Sequence, residues 1–218
     1  PAQGMGMLSQ QLAAPLPSGV VRLGHRVDRV ESTTARCTDG SSVSGRVLVV
    51  ATHGPAAAHL IGLPDPGSRP VAAIWFDATD APVHDRRILL DGAASGPVKN
   101  LAVLSDVAPT YAPPGRNLLV AAIPGPAAML ADLESRTRRQ LLAMFPGSNR
   151  WTTLRVDVIA HGQPLQLPPL DPRRSVRLGG SIYVCGDHRD TASIQGALFS
   201  GRRTAAAVLA DLGGNRTR

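Results

Sequence analysis

The stretch SIYVCGDHRDTASIQGALFSGRRTAAAVLADL, Ser181 to Leu212, decides how the rest is read. Ile182-Tyr183-Val184-Cys185 has the length and β-branched flavour of a buried strand. It stops at Gly186-Asp187, which leaves a carboxylate just past the strand's carboxyl end, where open α/β sheets hold ligands. A polar loop, His188 to Ser193, leads into a helical pattern in which Ile194, Ala197, Leu198, Gly201, Ala205, Val208, Leu209 and Leu212 share one stripe. Thr191 or Ser193 is the expected N-cap, its hydroxyl accepting from unpaired amides of the first turn. The free amides and partial positive charge of such a helix start suit an electron-rich group. Gly196 and Gly201 cost helix stability relative to Ala. Either something flat presses on the backbone there, or the helix packs tightly on a sheet.

Tyr183 to Asp187, Ser193 to Ala197 and Ser200-Gly201-Arg202-Arg203 together resemble the carboxyl-terminal FAD signature of the flavin-containing amine oxidase and phytoene desaturase superfamily. The resemblance implies that Gly186 and Asp187 lie by the ribityl or pyrophosphate part of FAD. It also implies that the amides around Ser193, Ile194 and Gln195, with Gly196 and Ala197 behind them, face the pyrimidine end of the isoalloxazine.

At 218 residues the chain has room for one large domain or two small ones, and 43% hydrophobic residues supply a core. The net charge of +7 permits an acidic partner. The arginines, however, come as scattered pairs (Arg86-Arg87, Arg138-Arg139, Arg173-Arg174, Arg202-Arg203), and aromatics for base stacking are 3%. A solvated basic surface, with no specific nucleic acid, is expected. Cys37 and Cys185 form no CxxC or Cys/His ligand spacing, so no metal is expected. Without a transmembrane-length apolar run or an apolar leader, the chain reads as soluble and cytoplasmic. No G-x-S-x-G, HExxH or Walker loop is present.

Near the start, Gly4, Gly6 and Ser9 almost spell a dinucleotide fingerprint, but no strand precedes them. Two readings stand: a loop entering a helix with Met5, Leu8 and Leu12 inside, or a phosphate cradle cut off from its strand. The segment also resembles the superfamily's mid-chain Gly-Gly-Met helix. Val20 to Leu23 and Arg26 to Val30 read as one strand or a broken pair with Gly24 between, and Thr33 to Thr38 and Ser42 to Val50 as a pair hinged at Asp39-Gly40. Arg46 to Thr52 is apolar without alternation, as a strand covered on both faces would be, and Pro55 opens a helix to Ile61. The resemblance sets Val27 at the adenine end of FAD and Ala51 and Thr52 beside the dinucleotide.

After the Pro/Gly-rich Gly62 to Pro70, four strands of a mainly antiparallel sheet are expected (Val71–Phe76, Arg87–Leu90, Val98–Leu104, Asn117–Ala122). One long helix follows from Pro124-Gly125-Pro126 to Phe145, with Met129, Leu130, Leu133, Leu141, Met144 and Phe145 inward. A strand Thr153 to Ile159 leads into Gly162 to Pro169. Ser105, Ala108-Pro109, Tyr111 to Pro113, Leu154-Arg155, Gln163-Pro164 and Gln166 resemble the substrate-side half of FAD-dependent amine-oxidase-like proteins. His161 and Gln163 are the candidates to meet a substrate beside the flavin.

The expected fold is therefore α/β with α+β character: an FAD-binding Rossmann-like domain without its amino-terminal βαβ unit, plus an antiparallel substrate domain with one long helix. Residues 1–62 are expected to carry the adenine-side strands, 63–168 the substrate side, and 169–218 the strand-loop-helix that holds the flavin. The family places a glycine-rich βαβ segment at the amino terminus, which is not seen here. The chain is accordingly expected to be the carboxyl-terminal part of an FAD-dependent oxidoreductase acting on a small molecule and completed by that dinucleotide-binding segment. A catalytically silent flavin-binding scaffold and a basic nucleic-acid module are the alternatives.

Overall fold

The computed structural model describes residues 1–214. In chain order its elements are α1 (Met7–Ala13), β1 (Val27–Glu31), β2 (Thr34–Cys37), β3 (Ser42–Ser44), β4 (Leu48–Val50), α2 (Gly54–Ile61), β5 (Ser68–Ala78) and β6 (Ile88–Leu90). There follow β7 (Asn100–Val103), α3 (Leu104–Val107), β8 (Asn117–Pro124), α4 (Leu133–Met144), β9 (Thr152–Pro164), β10 (Arg177–Gly179), β11 (Ile182–Val184) and α5 (Ile194–Gly214). The chain forms two compact units, Pro1–Val21 with Pro70–Ala160, and Arg22–Arg69 with His161–Arg218.

The first unit is built on the five-stranded sheet β6-β7-β8-β5-β9. β5 and β8 pair antiparallel from Val71↔Pro124 to Ala78↔Asn117. Alternate residues of β5 point to opposite faces, and Ala72, Ile74, Phe76 and Ala78 all fall on the covered one. They join Leu101, Val103, Leu119, Ala121 and Ile123 in one core, closed by Leu133 and Leu141 of α4 and by Trp151. Full burial of a side chain such as Ile74 or Phe76 stabilises by about 1.5–3 kcal/mol. The buried Gln140 is satisfied on both ends: Oε1 accepts from Val98 N–H at 2.8 Å, while Nε2 donates to Val98 O and Asp91 Oδ2.

The second unit holds two three-stranded sheets, β1-β2-β3 and β10-β11-β4. β11 and β4 are parallel, Val184 beside Val50 and Tyr183 beside Val49. Period-two alternation sends these pairs to opposite faces. Val50 and Val184 pack with Ala57 of α2, whereas Tyr183 packs with Val176 and with Ala207 of α5. One helix therefore covers each face: α2 begins shortly after β4, and α5 follows β11 by way of the loop from Cys185 to Ser193.

Several expectations are corrected. Residues 1–21 group with the antiparallel unit, where the Tyr111 hydroxyl donates to Pro1 O at 2.6 Å. The helix α1 forms, yet Met5, Leu8 and Leu12 are exposed rather than inward. No strand forms at Val20 to Leu23, where Gly19 and Gly24 both take positive φ and Leu23 is 87% exposed. The strand expected across Ser42 to Val50 splits, β3 joining β2 and β4 joining β11. The long helix expected from Pro124 starts only at Leu133, leaving Met129 and Leu130 exposed.

The apolar stripe of α5 is divided between solvent and core, Val208 packing against Tyr183 and Val176. Ile194, Leu198 and Leu209 face outward, and the buried face is Gly196, Ser200, Thr204 and Ala207. Serine and threonine can line it because their hydroxyls bond within the helix, Ser200 to Ala197 O and Thr204 to Ser200 O, both at 2.9 Å.

Candidate cofactor-binding site

The carboxyl ends of β4 and β11 lie side by side, so Ala51-Thr52 and Cys185-Gly186-Asp187 leave the sheet together. Cys185 N–H donates to Val50 O at 3.0 Å. Gly186 sits at φ +145°, and a Cβ there would come within 2.6 Å of the His188 ring and 3.3 Å of Thr52 O. Only glycine fits where two strand ends approach so closely. Its N–H donates to Ser200 Oγ, which pins the turn to α5.

Asp187 opens a short 3-10 turn with its side chain 31% exposed, 4.0 Å from the His188 imidazole. His188 itself is buried, and among the described residues neither ring nitrogen has a partner. Burial, followed by the neighbouring Arg189 guanidinium, holds its pKa below the ordinary value. The loop is tied from several sides. Arg203 donates to Arg189 O and Asp190 Oδ2, Gln166 donates to Asp190 O, and Thr191 N–H is received by Asp190 Oδ1.

Ser193 is the N-cap, its Oγ accepting from Gly196 N–H at 2.9 Å. Ala197 N–H reaches Ser193 O at 3.0 Å. Among the described residues, the Ile194 and Gln195 N–H groups have no acceptor, and both residues are exposed. Gly196 has a reason within the chain: a Cβ would overlap the Thr191 carbonyl oxygen and lie 2.7 Å from Thr191 Oγ1. Close packing therefore accounts for Gly196, while a Cβ on Gly201 would meet nothing within 4 Å.

His161 and Gln163 lie in the last part of β9, both exposed. His161 stacks on His53, ring centroids 5.0 Å apart, and its Nδ1 is 2.7 Å from Ser68 Oγ. His53 follows Thr52 directly and caps α2, its Nδ1 accepting from Ala56 N–H at 3.4 Å. In the neutral ring that role leaves the proton on Nε2. His53 and Ser68 were not singled out in the sequence, because their partner is a hundred residues away and no spacing rule links them. Val27 stands at the start of β1, opposite Cys37, while the Gly186 turn lies against Thr52 O.

This arrangement suits a flavin. An accessible carboxylate can accept from hydroxyls, two unpaired amides can donate to a carbonyl-bearing ring edge, and the helix start favours negative charge there. Residues 1–209 match the sequence profile of the family described as flavin containing amine oxidoreductase.

The chain belongs to the flavin-containing amine oxidoreductase family.

The expected FAD cofactor follows from that membership. Solved structures share the fold. UDP-galactopyranose mutase in its reduced form superimposes with a TM-score of 0.64 at 15% identity, over 84% of this chain and 45% of that one. Putrescine oxidase bound to putrescine gives 0.61 at 17%, over 95% and 53%. HpxO of Klebsiella pneumoniae, complexed with FAD and uric acid, gives 0.53 at 21%, over 98% and 55%. The chain thus spans about half the length of these proteins. No curated protein sequence matches it. Among the described residues, no helix is long and apolar enough to cross a membrane.

Proposed function

We propose that this chain forms part of an FAD-dependent oxidoreductase of the amine-oxidase or desaturase type, oxidising a small organic substrate. Its second unit is the later portion of a Rossmann-like FAD-binding domain, and its first unit is the substrate side. When bound, the flavin supplies the hydride or electron acceptor. The chain's own residues bind and orient. The Ile194 and Gln195 amides hold the pyrimidine edge, Asp187 receives hydroxyls of the ribityl–pyrophosphate arm, Thr52 and Ala51 flank the dinucleotide, and Val27 lies toward the adenine. His161 and Gln163 face substrate, with His53 and Ser68 fixing the His161 ring so that it can hold or pass a proton.

One observation carries this reading: among the described residues, two donors without acceptors at the start of α5, in the segment that follows the strand-end carboxylate of Asp187. An amino-terminal dinucleotide-binding segment completes the cradle. Support for that comes from β4, whose second edge is unpaired among the described residues, and from the outward Ile194, Leu198 and Leu209.

The test is flavin release on denaturation, from the chain alone and after an upstream strand and glycine-rich loop have been restored. Retained flavin that bleaches on adding an oxidisable amine or alkene substrate is the expected outcome. Flavin that binds but never bleaches would favour the silent scaffold, and no flavin in either form would end the reading.

A further inference from the structure

Three donors of different chemistry meet at the open end of the β1–β2 hairpin, independently of any flavin reading. His25 precedes β1, Cys37 ends β2, and Asp39 lies in the turn that follows. One imidazole nitrogen, Cys37 Sγ and one carboxylate oxygen all lie within 4.8 Å of one another. His25 Nδ1 is 3.4 Å from Asp39 Oδ2. A tetrahedral ion with metal–N and metal–O bonds of about 2.0–2.2 Å separates neighbouring ligand atoms by roughly 3.3–3.6 Å.

The backbone holds these donors without help from an ion. Cys37 N–H donates to Ser41 O and Gly40 N–H to Cys37 O, with Gly40 at φ +83° completing the turn. Thr38 N–H donates to Arg26 O at 2.9 Å, fastening the turn to the residue after His25. The register shift between Val27 and Arg29 sets Val27 opposite Cys37, which carries His25 past the hairpin's end to the thiol. Ser41 then fixes the carboxylate, its N–H and Oγ both donating to Asp39 Oδ1 at 2.8 and 2.6 Å. Those bonds also hold the Asp39 carboxyl below its ordinary value and leave Oδ2 turned toward the imidazole.

We propose that His25, Cys37 and Asp39 form a binding site for a divalent transition metal of the zinc class. A soft thiolate, a borderline imidazole and one carboxylate suit zinc or cobalt better than magnesium or calcium, which favour oxygen alone. Three protein ligands leave one tetrahedral position for water or a further donor. Binding replaces the Cys37 thiol proton with the metal and releases that proton to solvent. A surface His–Asp hydrogen bond beside an unrelated buried thiol is the competing account.

The experiment is titration of the tag-free 218-residue chain with cobalt(II), followed by displacement with zinc(II). A thiolate-to-cobalt charge-transfer band at one equivalent, with proton release, is expected in the parent and in Cys185→Ser, and lost in Cys37→Ser. Cys37 is buried, so Cys37→Ser is checked for folding by circular dichroism. The exposed partners give the second arm. His25→Ala and Asp39→Asn should keep the parent's thermal melt without metal, yet weaken zinc by more than the about 10–100-fold that loss of an outer-sphere partner costs. The proposal is overturned by the absence of a thiolate band, by a band that disappears in Cys185→Ser instead, or by zinc affinities of the two exposed variants within threefold of the parent.

Discussion

Gly196 packs so closely on Thr191 that no other residue fits: a Cβ on it would overlap the Thr191 carbonyl oxygen. In an open helix, Gly→Ala stabilises by about 1 kcal/mol. Here the obstacle is backbone of a loop that is hydrogen-bonded through Asp190 and Ser193, so it cannot simply swing aside. Gly196→Ala is expected to destabilise, by about 1–3 kcal/mol as for other overpacked sites. A thermal melt that rises for this variant would contradict the packing.

Gly201, five residues on, provides the opposite sign. Its Cβ would enter open space. Gly201→Ala should therefore raise stability by up to about 1 kcal/mol. The same variant reports on what covers this face in the holoprotein: unchanged flavin affinity is expected, and a loss would mean that the cofactor or another segment presses here.

The two faces of α5 make a second contrast. Leu209 is 71% exposed and Ala207 is 6% exposed. Leu209→Lys is expected to shift unfolding by no more than about 0.5 kcal/mol. Ala207→Asp, which forces a carboxylate against Tyr183 and Val176, is expected to cost several times that, on the order of 3 kcal/mol or more. Comparable losses from both would return the apolar stripe to the interior.

How much of this was legible beforehand depended on whether the cause was local. The strand, the Gly186-Asp187 turn and a hydroxyl N-cap at Thr191 or Ser193 were readable because each is decided within a few residues. The orientation of α5 was not. Its interior face is carried by Ser200 and Thr204, whose polarity is cancelled by bonds inside the helix, so hydrophobic periodicity does not mark it. The pairing of His161 with His53 and Ser68, and of His25 with Cys37, was likewise hidden. Strand register and a bulge bring those residues together, and neither leaves a mark in the spacing.

His188 ties stability to acidity. Its folded pKa lies below the ordinary 6.5, chiefly because burial disfavours the imidazolium. Between those two values the unfolded chain binds more protons than the folded one, so stability falls as pH drops below about 6.5 and levels off beneath the folded value. His188→Asn should flatten that part of the profile. Denaturant midpoints measured across mildly acidic pH for parent and variant test this, and parallel profiles would contradict it.

The central claim is tested most directly at Ile194. Proline is tolerated at the first position of a helix, where the preceding N-cap is already non-helical, and it deletes a single N–H. In a protein carrying the proposed dinucleotide-binding segment, Ile194→Pro should leave the far-ultraviolet circular dichroism unchanged and weaken FAD by about tenfold, as loss of a hydrogen bond of about 1.5 kcal/mol would. An Ile194→Pro protein that folds and binds FAD as tightly as its parent would contradict the assignment of these amides to the flavin.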